Sequence, residues 1–100
     1  MNINDYIAAN RNGKHGRLCK PVTCQSGLTM SVQASSTHYC EPRNDEGPYE
    51  SVEVGFPNRK VEALMEFAET PENPTETVYG HVPVALIEKV ILENGGLANA

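Results

Sequence analysis

Cys19, Cys24, His38 and Cys40 are the side chains of this chain best suited to a metal, since three thiols and an imidazole could surround zinc tetrahedrally. Their spacing does not favour it. Cys-x4-Cys lies at the wide end of zinc-knuckle spacings and His-x-Cys is not a usual second half. The expectation is therefore no metal site and three reduced thiols, with Cys19 and Cys24 packed inertly in the core. His38 and Cys40 also pair a base with a nucleophile, and in an extended segment they would point the same way. Catalysis would further need an activated thiolate, an orienting group and an oxyanion site. None of these is identifiable, so no catalytic residue is assigned and no enzyme is expected. The run Asn12-Gly13-Lys14-His15-Gly16-Arg17 is rich in Gly and basic residues but lacks the Gly-x4-Gly-Lys-Ser/Thr pattern of a phosphate-binding loop. It reads as a solvated turn, and no cofactor is expected.

Residues 35–48 are more informative. Small polar residues, two prolines and a glycine exclude regular structure there. A connection of roughly 14 residues without helix or strand is uncommon in a compact domain and is often functional. It carries His38, Tyr39 and Arg43, with Tyr49 just beyond. These are aromatic faces beside a forked cationic donor, the residue types that grip protein partners or planar anionic ligands. Thr75, Glu76, Tyr79 and His81 would add a second wall if the strand holding them lies beside the strand that follows the loop. The eight together are the candidate binding set. The structural alternative has Tyr39 and Tyr49 capping the core and Arg43 paired with a neighbouring acid.

The elements that must position this set follow from periodicity and punctuation. Asn2 or Asn4 caps a short helix in which Ile3, Tyr6 and Ile7 share a face and which Asn12-Gly13 stops. Residues 17–24 alternate as a strand that Pro21 confines to an edge. Leu28, Met30, Val32 and Ala34 recur every second residue in the clearest strand of the sequence. After the loop, Val52, Val54 and Phe56 alternate in a third strand that Pro57 ends. Asn58 then caps a helix with Val61, Leu64, Met65 and Ala68 at helical spacing and Glu62, Glu66 and Glu69 outward. Residues 75–82 form a short fourth strand, with Thr77, Tyr79 and His81 on one face and Val78 and Val82 on the other. Pro83 opens a final helix whose Val84, Ile87, Val90 and Ile91 make an apolar stripe, and Asn94-Gly95-Gly96 ends it with Leu97 folding back. The order α-β-β-β-α-β-α predicts an α+β fold, a small antiparallel sheet of three to four strands with two to three helices packed on one face. Val32, Val54, Leu64, Ile87 and Ile91 are its expected core.

Length and charge narrow the function classes. At 100 residues the chain suits a single domain, residues 1–100. A net charge of −5 leaves no general excess of Lys and Arg for phosphates, which argues against broad nucleic-acid or anionic-membrane binding. The charge is unevenly placed. Residues 1–20 hold four basic residues and one acid, net +3, and residues 21–100 hold four basic and twelve acidic, net −8. The basic segment could hold an anion, and the acidic remainder could face a basic partner. Met1–Asp5 shows neither the basic cluster nor the apolar run of a secretory leader, and no window approaches the ~18 apolar residues of a membrane span. The cytoplasm is the expected compartment.

The strings Met30-Ser-Val-Gln-Ala-Ser35, Tyr39-Cys40-Glu-Pro42-Arg43, Gly47-Pro48-Tyr49, Val52-Glu-Val-Gly-Phe-Pro57, Pro74-Thr-Glu-Thr-Val-Tyr-Gly80 and Val82-Pro83-Val84 resemble a family of small uncharacterised proteins of tailed phages and prophages. The resemblance spans residues 28–96, and Cys19–Cys24 departs from its pattern. It brings no activity, so no functional residue is carried over. What it implies is context: a phage or prophage accessory protein in the bacterial cytoplasm that binds a host protein and can inhibit a host defence system. The competing reading is a small-ligand binder that sequesters a nucleotide-like anion through Arg43, Tyr39, Tyr49 and the basic segment. A homo-oligomer is compatible with both.

Overall fold

The computed structural model describes residues 2–10 and 19–98. Helix α1 (Ile3–Asn10) begins where the Asn2 side-chain oxygen accepts hydrogen bonds from the amides of Asn4 and Asp5, at 2.9 and 3.3 Å. Those amides would otherwise be orphans of the helix N-terminus. Strands β1 (Val22–Thr23), β2 (Thr29–Gln33), β3 (Ser51–Gly55) and β4 (Val78–Pro83) form one antiparallel sheet in chain order. β1, just after Pro21, is a short edge strand, as a residue without an amide hydrogen requires. A 3₁₀ helix (Glu62–Phe67) joins β3 to β4, and helix α2 (Val84–Glu93) follows. The result is the small antiparallel α+β fold that the element order predicts.

One buried cluster holds these elements together. Val32 faces Val54, Val54 faces Tyr79 and Val52 faces Val82 across the sheet. Ile3 and Ile7 of α1, Leu64 of the 3₁₀ helix, and Ile87, Val90 and Ile91 of α2 join them. Burying an aliphatic side chain of this size contributes roughly 1.5–3 kcal/mol, so the apolar stripe of α2 is what holds it to the sheet. Gly95 and Gly96 end α2 with φ of 86° and 82°, and their amides reach the carbonyls of Leu92 and Ile91. Leu97 then packs on the core and bridges to Cys24. No helix among the described residues is long and apolar enough to cross a membrane.

Three local features differ from expectation. The segment after β3 is a six-residue 3₁₀ helix without a side-chain cap. Asn58 is drawn away from that helix because its side chain accepts from the Thr29 amide at 2.9 Å and donates to the Gly27 carbonyl at 3.0 Å. Phe56 does not continue β3 inward. It takes φ 50° and is 58% exposed, while the amide still bonds Thr77. In β4 the simple alternation fails, since Tyr79 and Val82 are both buried although three positions apart. The pairs Val52–Val82 and Val54–Tyr79 leave Gly80 and His81 together opposite Glu53, which is a β-bulge. Within the expected strand 17–24, Val22–Thr23 form β1; Arg17, Leu18 and the expected turn over 12–17 lie outside the described residues.

Candidate functional site

Residues 34–50 contain no helix or strand beyond an isolated bridge between Glu41 and Ser51, and side chains shape them instead. Asp45 Oδ1 accepts from the Ser36 amide at 2.9 Å, and Asn44 Oδ1 accepts from the amides of Glu46 and Gly47 at 3.0 and 2.9 Å. The Tyr49 hydroxyl donates to the Asn44 carbonyl at 2.8 Å. Gly47 has φ 70°, and a Cβ there would lie 2.9 Å from the Tyr49 ring, so only glycine closes the turn without strain. Asn4 ties the loop to α1, accepting from the Tyr49 amide at 2.7 Å and donating to its carbonyl at 3.0 Å. The loop is long but internally bonded.

This scaffold brings Tyr39, Arg43 and His81 together at the surface. The Arg43 guanidinium carbon lies 5.6 Å from the centre of the Tyr39 ring, and the His81 ring lies 6.2 Å from it, tilted by 41°. The Tyr39 backbone is pinned on both sides. Its amide donates to Glu53 Oε1 at 3.0 Å, and its carbonyl accepts from the His81 amide at 3.0 Å. Gly80 permits this approach, because a Cβ there would come within 3.3 Å of Tyr39 Cβ. His81 takes φ 54°, in the left-handed region that costs a residue with a Cβ roughly 1–2 kcal/mol. The bulge and this conformation leave its side chain exposed, as are those of Tyr39 and Arg43. The Tyr39 hydroxyl, the Arg43 N–H groups and the His81 ring nitrogens make no hydrogen bond to any described residue.

The other candidate residues are placed differently. His38 Nδ1 lies 2.7 Å from Ser35 Oγ, which also contacts Thr37 Oγ1 at 3.0 Å. Tyr49 is buried with its hydroxyl committed to the loop, and Tyr79 is fully buried with its hydroxyl donating to the Pro74 carbonyl. Burial also pushes the Tyr79 hydroxyl up in pKa. Thr75 and Glu76 are exposed in the turn before β4, away from the His81 end of that strand. The second wall expected from the fourth strand is thus reduced to His81, which the β3–β4 pairing does bring to Tyr39. Two residues that position this surface, Glu53 and Gly80, escaped the sequence reading. The alternation of β3 marks Glu53 only as outward-facing.

All three cysteines are buried, and Cys24 and Cys40 are free thiols. Burial pushes the Cys24 and Cys40 thiols up; the nearby Arg59 acts against this at Cys24 and Arg43 at Cys40, without cancelling it. A thiol held protonated is a poor nucleophile and a poor metal ligand. Among the described residues no three His, Cys, Asp or Glu side chains are grouped to hold a metal ion. An open cleft of about 400 Å³ lies between α1 and the loop, lined by Asp5, Ile7, Ala8, Glu46 and Pro48 among others; Tyr39, Arg43 and His81 do not border it. Compared with protein-family models, with curated proteins and with solved structures, the chain matches none of them.

Proposed function

We propose that this chain is a non-enzymatic binding protein that docks onto a partner protein through Tyr39, Arg43 and His81. In the setting its sequence resembles, it is a phage or prophage accessory protein, the partner is a host component, and the consequence of binding is inhibition of a host defence. One observation carries the docking role. The polar groups of Tyr39, Arg43 and His81 make no hydrogen bond to a described residue, while His38, Tyr49 and Tyr79 close by in sequence are bonded internally. Tyr and Arg are among the residue types that most often anchor protein interfaces. The tagged protein incubated with host lysate is expected to retain a host protein that Arg43→Ala does not retain, with equal melting temperatures for both. Equal retention, or a loss that tracks unfolding, would reject the reading.

A second reading uses the same exposed Tyr39 face: a nucleotide-like anion could stack on the ring with its phosphate at Arg43. Nucleotide addition separates the two. A ligand binder gains about 2.7 kcal/mol of stability when the ligand is at a hundred times its Kd, whereas a protein-docking surface gains nothing.

A further inference from the structure

We infer that the group this surface receives from its protein partner is a carboxylate, the side chain of an Asp or Glu. The inference rests on the docking role proposed above and names the chemistry of that contact. Arg43 is flanked in sequence by Glu41, Asp45, Glu46 and Glu50 on a chain of net charge −5. Its guanidinium nevertheless pairs with no carboxylate of the described residues, in contrast to Lys60, which reaches Glu62 at 3.1 Å. Arg43 lies over the Tyr39 ring instead. That contact steadies the planar fork by cation–π attraction, and its N–H groups bond no described residue. Glu53, whose carboxylate does reach this surface, is committed to the Tyr39 amide. The His81 ring also stands at Tyr39, and its nitrogens make no hydrogen bond to a described residue.

A guanidinium fork that meets no acid among the described residues is complementary to an oxyanion from outside. Two parallel N–H···O bonds match a carboxylate at short range. A polyanion is disfavoured, because a row of phosphates would meet the net −8 of residues 21–100. One acid on an otherwise neutral or basic partner face feels chiefly the local pair, since more distant charges are screened.

The test uses the full isotope-labelled chain and three probes of similar shape at equal ionic strength: benzoate, phenylphosphonate and benzyl alcohol. Benzoate should move the Arg43 side-chain Nε–H and the ring resonances of Tyr39 and His81, and bind about fivefold tighter than benzyl alcohol. Arg43→Gln should abolish that advantage at an unchanged melting temperature, and Arg43→Lys should keep part of it. Equal affinity for benzoate and benzyl alcohol, or a benzoate preference that survives Arg43→Gln, overturns the inference. So does phenylphosphonate binding more than about tenfold tighter than benzoate, which would assign a phosphate instead. If Arg43→Gln loses the host protein although benzoate is not preferred, the docking role stands and the carboxylate inference alone fails. If host capture is indifferent to Arg43→Gln, the docking role fails and takes the inference with it.

Discussion

Among the described residues Arg43 meets the fold through the Tyr39 ring and through no ion pair. Arg43→Ala should therefore leave the melting temperature within a few degrees of wild type while removing most partner binding. Arg43→Lys should restore binding incompletely, because an ammonium cannot reproduce the bidentate fork. Ser51 presents the reverse case. Its hydroxyl is buried and has no hydrogen-bond partner among the described residues. An unpaired buried hydroxyl costs about 1–3 kcal/mol, so Ser51→Ala should raise stability by roughly 1 kcal/mol in urea unfolding. The thiols set a pH dependence whose sign follows from burial. Folded Cys24 and Cys40 hold their protons beyond the ordinary thiol value of 9.0, and unfolded thiols release them there. Stability is thus fully present below that pH and is lost as pH rises above it. Urea midpoints measured on either side of pH 9.0 should be level below and decline above; a rise in alkali would contradict the assignment.

Strand β4 does two jobs because of its bulge. With two residues opposite Glu53, Tyr79 and Val82 both turn inward while His81 is left at the surface, beside a Tyr39 packed closely on Gly80. His81→Gly removes the left-handed strain at φ 54° but adds freedom to the unfolded chain. The balance should be a gain of roughly 0.5 kcal/mol by urea unfolding, together with weaker partner binding. A variant that is both less stable and equally good at binding would show that the conformation serves the fold and not the surface. Gly80→Ala should act through position, since its Cβ would crowd Tyr39 Cβ at 3.3 Å and displace the ring. Strained backbone that persists at an exposed aromatic cluster is where function is to be sought.

For the molecule as a whole, the helices depend on one apolar seam. Leu64, Ile87 and Ile91 are fully buried in the same cluster as Val32 and Val54. Leu64→Ala, Ile87→Ala or Ile91→Ala should each cost about 2–5 kcal/mol, and Glu66→Ala, on the wet side of the 3₁₀ helix, should stay within roughly ±0.5 kcal/mol. Chemical denaturation reads both. Comparable losses at Glu66 and Ile91 would mean that the buried faces are misassigned. A domain of this kind has only about 5–15 kcal/mol in hand, so one core truncation removes a large share of it.

Periodicity alone determined the elements whose burial is one-sided. The alternation around Val32 specified β2, the stripe of Ile87, Val90 and Ile91 specified α2, and two glycines specified its end, because each pattern fits one backbone period and no other. Composition marked the long loop for the same local reason. The form of the segment after β3 was not local. Asn58 can cap a helix or brace a turn, and only the proximity of Gly27 and Thr29 selects the turn. The bulge was equally hidden, since it consists of a mismatch between two strands and belongs to neither. In sequence, His38, Tyr39, Tyr49, Tyr79 and His81 have equivalent standing, each an aromatic ring with polar capacity to spare. The tertiary structure divides them by placing an acceptor or donor within reach of His38, Tyr49 and Tyr79 and, among the described residues, no hydrogen-bond partner at the polar ends of Tyr39 and His81. Whether a polar group is spent depends on its neighbours in space, and the chain order does not contain them.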